Sequence, residues 1–211
     1  MSASVALAIV IERGRRNVFA SALDWPGWSR VGRDEESAIE ALLAYTDRFR
    51  PVAQGAGLRF PQRLQAEVVE RLEGNATTDF GAPSIPAAAE SRPLTATAAA
   101  AQAALLRAGW DTLDEVAAHA SSTLRKGPRG GGRDRDAVVE HVVNAERAYA
   151  GKIGLRARDE PDLRAAIVRV LGAASDGGEL RPGGWTSRYA TRRIIWHVLD
   201  HAWEIEDKSE R

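Results

Sequence analysis

Histidine is scarce in this chain, four among 211 residues, so the position of each one carries weight. In "WHVLDH", His197 and His201 stand four apart. A helix advances roughly 100° per residue, which puts both imidazoles on one face, one turn apart. That spacing lets two rings grip a single ion at about 2.0–2.1 Å. Ile194, Val198, Ala202 and Ile205 lie beside the pair on the helical wheel, so the histidines border a core face. His141 is the natural third ligand. Its neighbours at helical spacing are Ala137, Val138, Ala145 and Ala148, an apolar, inward face of small side chains that leaves room beside the ring. Burying a neutral imidazole without a partner is costly. Three histidines on the inner faces of two helices therefore point to a shared metal site in place of three separate core histidines.

Three neutral imidazoles leave an ion with open positions and its full positive charge. That is the arrangement of a catalytic site, since structural zinc sites are closed. Such an ion lowers the pKa of bound water toward about 7 and can hold an external thiol as thiolate. Two reaction classes follow, metal-assisted hydrolysis and transfer of an electrophile to a small thiol.

Other residues could support the site. His119 sits shortly before an interhelical loop and His141 shortly after it, so His119 is either a fourth ligand, an acid–base group or an exposed structural histidine. Asn144 and Glu204 lie at the edges of the ligand faces and either orient an imidazole or stay solvated. Tyr149 and Trp185 could line a pocket. Trp196 and Trp203, seven apart on another face, read as packing residues against a neighbouring helix or the N-terminal half. Arg125, Lys126, Arg129, Arg133 and Arg135 surround glycines in the first interhelical loop. They either hold an anionic ligand group or form a solvated loop.

Composition narrows the functions available. Basic and acidic residues balance at 29 each, which argues against nucleic-acid binding through a net basic face. The longest apolar run, Val5 to Ile11, is far shorter than the roughly 20 residues of a membrane span, and it lacks the features of a secretory signal. A soluble, cytoplasmic protein is expected. There is no cysteine, so disulfides, zinc–thiolate sites and cysteine nucleophiles are excluded. Any thiol must come from outside.

The elements that position these residues fall into two rhythms. Residues 1–75 read as a small α+β domain. "SVALAIVIE" and "NVFASALDWPGW" form a hairpin around "RGRR", and "RDEESAIEALLAYTDRFRPVA" is one helix with apolar spacing through Ala38, Leu42, Tyr45 and Phe49. "RLQAEVVERLEG" alternates weakly and reads as a third strand or a short helix, the strand being favoured. Residues 76–93, rich in small residues and proline, suit a linker. Residues 94–211 predict an all-α four-helix bundle. Its first helix is alanine-rich and tolerates Gly109, its second starts near Asp134 and Asp136, Pro161 opens the third, and the fourth carries "SRYATRRIIWHVLDHAWEIED".

Residues 94–207 resemble the DinB/YfiT-like superfamily of metal-binding four-helix bundles, which includes thiol-dependent S-transferases and mycothiol-dependent isomerases. The resemblance rests on one histidine in the second helix, "VVEHVVNAE", and the H-x-x-x-H of the fourth, "WHVLDHAWE". It implies that His141, His197 and His201 bind a divalent ion, zinc or nickel foremost and iron or manganese otherwise, with water completing the shell. It also implies helices running up, down, down, up, with "GLRARDE" crossing the length of the bundle. The N-terminal half resembles HicB-type strand–helix domains through "FASALDWPGW" and "EESAIEALLAY", a likeness of fold from which no antitoxin role follows.

Transfer of an electrophilic small molecule to a low-molecular-weight thiol co-substrate is the reading the resemblance favours. A metal-dependent hydrolase would use the same site. A non-catalytic binding module, with a structural or vestigial metal and an N-terminal sheet that receives a ligand or protein, is the rival of a different class. No proton-transfer residue is assignable from the residues alone. A homodimer is compatible with the sequence.

Overall fold

The computed structural model describes residues 4–127 and 132–209. Four strands, β1 (Val5–Arg13), β2 (Val18–Ala22), β3 (Ser29–Gly32) and β4 (Leu64–Glu73), form one sheet in the order β3-β2-β1-β4. The predicted hairpin is β1–β2, and the segment after it turns at Trp25 to Trp28 to add β3, antiparallel to β2. β4 runs parallel to β1. β1 is apolar from Val5 to Ile11, as a strand covered on both faces requires. Leu7, Ile9 and Ile11 share a core with Ala38, Leu42, Phe49 and Val52. On the other face Glu12 is 2% exposed. It survives there because it accepts hydrogen bonds from Thr78 Oγ1 at 2.5 Å, Ser84 N at 3.0 Å and Ile85 N at 3.1 Å.

The single helix expected over residues 33–53 is two, α1 (Glu35–Ala44) and α2 (Thr46–Gly55). Tyr45 breaks it with φ −89° and ψ 7°, and the Thr46 hydroxyl bonds back to the Leu43 carbonyl at 2.5 Å. Local hydroxyl bonding of this kind competes with helical hydrogen bonds. The break places the Tyr45 ring 5.0 Å from that of Trp203. Residues 76–93 carry a short helix, α3 (Ala76–Phe80), and a 3-10 turn over Ala88–Ser91. Glu90 in that turn forms a buried ion pair with Arg192, Oε1 to Nε at 2.6 Å.

The remaining helices are α4 (Ala96–His119), α5 (Arg135–Lys152), α6 (Leu163–Leu171) and α7 (Ser187–Lys208). Each is packed against the other three. Thr95, Asp162 and Thr186 cap α4, α6 and α7 through their side-chain oxygens, satisfying otherwise orphaned N–H groups. Pro161 therefore precedes the cap of α6 and does not occupy its first turn, because Asp162 offers an acceptor that proline lacks.

Hydrogen bonds between helix ends fix the directions. The start of α7 meets the end of α5 (Trp185 N to Lys152 O, 3.0 Å), and the residues after α4 meet the end of α7 (Arg125 N to Lys208 O, 2.9 Å). Leu94 before α4 pairs with Ser175 after α6. Arg164 at the start of α6 reaches Asp114 late in α4 and Glu146 inside α5. The helices thus run up, down, down, up. The tight crossing expected for residues 154–160 is relieved by the shortness of α6, nine residues, which starts part-way along the bundle. Among the described residues no helix is long and apolar enough to cross a membrane.

α7 joins the two halves. Its side chains are buried without interruption from Tyr189 to Leu199, and one apolar cluster runs from β1 through α2 to α4 and α7. Ile195 is gripped from two sides. A Cβ at Gly109 of α4 would lie 3.5 Å from its Cγ2, an ordinary contact, but a Cβ at Gly27 would lie only 2.2 Å away. Gly27 also has φ +93°, a backbone region that side chains disfavour. Gly27→Ala is therefore expected to cost about 2–4 kcal/mol through strain and overpacking. Gly109→Ala should be neutral or mildly stabilising. Chemical denaturation of the two variants checks this, and equal stabilities would refute the clasp at Ile195.

Candidate metal centre

α7 presents His197 and His201 on successive turns, and α5, antiparallel to it, brings His141 to the same height. The ligand nitrogens of all three lie within 4.8 Å of one another. His141 Nε2 and His197 Nε2 face each other at 3.3 Å, and the three ring centroids are 4.6–5.1 Å apart. Two nitrogens so placed must share either a proton or an ion. Ligands of one tetrahedral ion at about 2.0–2.1 Å stand about 3.3–3.4 Å from each other, so the residues present fit a divalent cation.

The tautomers agree with that use. His201 Nδ1 is 2.7 Å from Glu204 Oε2. A carboxylate can only accept, so Nδ1 carries the proton and donates it, and Nε2 keeps a free lone pair for the centre. Glu204 in turn accepts from Lys208 Nζ at 2.5 Å. The hydrogen bond from His201 is the first cause of a Glu204 pKa lowered to about 2, with Lys208 adding to it against the cost of partial burial. His197 is also lowered, to about 2, by burial first and then by His201 and Arg193, which for a base favours the neutral form. His141 is also lowered, by desolvation and by His201. The imidazoles that face each other are thus held neutral, with lone pairs free of protons.

Sequence reasoning placed the three histidines together and left Glu204 either orienting an imidazole or solvated; the structure brings the histidines together and sets Glu204 against His201. It surrounds them differently from expectation. The buried stripe of α5 is Val138, Val142, Glu146 and Ala150, while Ala137 and Ala148 are exposed. His141 therefore stands at the rim of the buried face, half-buried, because the valines pack better against the bundle than the alanines do. Tyr149 meets the His197 ring edge-on at 5.7 Å, and Trp185 packs on Tyr149 at 5.2 Å. Burial raises the Tyr149 pKa, which keeps its phenol neutral. Asn144 is exposed and accepts from Arg147 at 2.8 Å. His119 is exposed, its Nδ1 on the carbonyl of Glu115 at 2.8 Å, outside the three-histidine group.

The basic loop is used for folding. Arg125 reaches the Asp207 carbonyl, Lys126 pairs with Asp134, and Arg135 with Asp136 and the Ala120 carbonyl. Arg133 is exposed and Arg129 lies outside the described residues. Trp196 packs edge-on against Phe19 of β2 and Trp203 against Tyr45, joining α7 to the N-terminal half. Lys208 and Arg193 were not singled out by sequence reasoning. Both follow from spacing on α7, four residues after Glu204 and four before His197.

A separate cavity of about 570 Å³ lies between the sheet and the bundle, lined in part by Glu70, Arg92, Gln102, Arg188 and Arg192 and by none of the histidines. Gln102 Oε1 is buried without a hydrogen-bond partner among the described residues. Comparison with protein-family models, with curated proteins and with solved structures finds no match to this chain.

The neutral histidines make stability depend on pH. An unfolded imidazole titrates near about 6.5, whereas folded His197 resists protonation down to about 2. Below pH 6.5 the unfolded chain binds a proton that the folded one refuses, so stability is complete above that pH and drains as pH falls. The slope reaches about 1.4 kcal/mol per pH unit for one such group. Chelator-treated protein should lose about 1–2 kcal/mol in urea denaturation between pH 7 and pH 5.5, and His197→Gln should lose less. Equal stability of the native chain at the two pH values would contradict the neutral assignment.

Proposed function

We propose that the chain is a metal-dependent enzyme that transfers an electrophilic small molecule to a low-molecular-weight thiol. The observation that carries this is the convergence of three imidazoles from α5 and α7, with His201 oriented by Glu204 and no carboxylate among the three. The resemblance of the bundle to DinB/YfiT-like proteins supports it, as does the up, down, down, up course of the helices. His141, His197 and His201 would hold the ion, zinc or nickel foremost. Bound there, a divalent ion supplies Lewis acidity that draws a thiol or water toward its deprotonated form at neutral pH.

The chain's own residues do the rest. Burial keeps His141 and His197 neutral, so no proton competes for their lone pairs. Glu204 fixes the ring of His201, and Lys208 fixes Glu204. Tyr149 and Trp185 shield one side of the cluster from water. In the overall step the thiol loses its proton, its sulfur forms a bond to the electrophilic carbon, the bond to the leaving group breaks with its electron pair, and the proton ends on that group. With no cysteine in the chain, no protein thiol competes with the incoming one.

A second reading is favoured by the cavity between sheet and bundle. Its buried, unpartnered Gln102 oxygen suits a ligand with a hydrogen-bond donor, and the chain would then be a binding module whose histidine cluster is structural.

Protein purified without chelator is expected to carry about one divalent ion per chain by elemental analysis. His197→Ala should abolish it, and Glu204→Gln should weaken affinity about 10–100-fold. Retention of stoichiometric metal by His197→Ala would remove the site. In a thermal-shift screen, thiols should stabilise the metal-loaded protein, and stabilisation by none of them would favour the binding module.

A further inference from the structure

Two arginines are buried on α7, and they are neighbours with opposite fates. Arg192, 4% exposed, has a buried counter-ion: its Nε and Nη2 donate to Glu90 at 2.6 and 2.9 Å, and Nη2 also reaches the Ile85 carbonyl at 3.0 Å. Arg193, 8% exposed, makes no ion pair among the described residues. Its Nη1 is sealed from solvent without a hydrogen-bond partner there. A buried charge with open donors is among the more costly features a fold can carry, and one that persists asks for a reason.

The rings around Arg193 show what is missing. Its guanidinium lies 4.6 Å from the Trp196 ring centroid and 5.5 Å from that of Tyr149. Such ring contacts stabilise the positive charge but supply no acceptor for the guanidinium N–H groups, and Nη1 stays without a partner among the described residues. The in-plane N–H edge of a guanidinium is the fork that a carboxylate fits with two parallel hydrogen bonds. The position ties it to the histidines. Arg193 precedes His197 by one turn on the stripe that continues to His201. Tyr149 touches both, beneath the guanidinium and edge-on to His197 at 5.7 Å.

We propose that Arg193 anchors a carboxylate of the molecule that approaches the three histidines, so that the site takes small carboxylic acids whose other end carries the metal-binding or reacting group. One helical turn separates the two points, about 6 Å along the axis, which suits a short chain of two or three bonds between carboxylate and donor. This inference rests on the metal-centre reading for the far end of the ligand, and on Arg193 alone for the near end.

Three thiols of similar size separate the charge from the donor: 3-mercaptopropionate, 2-mercaptoethanol and cysteamine. Titrated into cobalt-loaded protein and followed by the sulfur-to-cobalt absorption, 3-mercaptopropionate should bind at least tenfold more tightly than 2-mercaptoethanol, and cysteamine most weakly. Arg193→Gln should erase that preference while cobalt content and 2-mercaptoethanol affinity stay as they were. Arg193→Lys, which keeps the charge but not the fork, should retain part of it.

In protein stripped of metal, the Arg193 Nε–H resonance, assigned by its loss in Arg193→Gln, should shift on titration with propionate. Equal affinity for the first two thiols, or a propionate titration that leaves the resonance unmoved, would overturn the carboxylate anchor. A response to inorganic phosphate with none to propionate would overturn it equally. Failure to take up cobalt together with a propionate-induced shift would sink the metal reading and leave the anchor standing.

Discussion

A helix buried on most sides must find a partner for each polar group it carries, and the burial of α7 is the constraint on which the rest of this structure depends. From Tyr189 to Leu199 no side chain of α7 is open to solvent, yet the segment includes threonine, two arginines and a histidine. Most of these groups recruit something, Arg193 being the exception among the charged ones. Thr191 bonds back to the Ser187 carbonyl. Arg192 draws the 3-10 turn at Glu90 onto the bundle. His197 faces His141 across the bundle. Even the apolar contacts dictate structure elsewhere, since Ile195 leaves no room for a side chain at Gly27.

The same burial sets the electrostatics of the histidine cluster. Desolvation disfavours imidazolium, and neighbouring cations disfavour it further, so the inner histidines stay neutral. Toward its C-terminal end α7 emerges into solvent, and there the chemistry reverses. Glu204, half-buried, is kept ionised by its hydrogen bonds with His201 and Lys208, and this chain of hydrogen bonds reaches back to orient His201. The cluster thus has a dry end, at His197 and Arg193, and a wetter end at His201 and Glu204. A small molecule entering between them would meet a cationic fork at one end and free imidazole lone pairs at the other.

The connection between the halves shows how little a linker-like composition constrains structure. Residues 76–93 contain the glycine, proline and small residues of a flexible segment, but Thr78, Ser84 and Ile85 satisfy the buried Glu12 and Glu90 satisfies Arg192. The partners of these bonds are up to about 100 residues apart in the chain, and neither local propensity nor periodicity registers them. The break at Tyr45 escapes periodicity too. Apolar spacing runs on through Phe49, but the Thr46 hydroxyl bonds back to the Leu43 carbonyl, and the divided helix packs Tyr45 on Trp203 and Phe49 into the sheet's core.

What the sequence determined by itself was whatever a local period can encode: the β1–β2 hairpin, the long helices α4, α5 and α7, the shared face of His197 and His201, and the place of Glu204 one turn beyond. Helical geometry ties those residues together wherever the helix goes. What only the tertiary structure decided was which side of α5 is buried, that Arg193 is enclosed without a partner while Arg192 has one, and that His119 stays out in solvent. Those outcomes depend on which distant surface each residue meets when α7 is enclosed, and burial, unlike spacing, is a property of the whole packed chain.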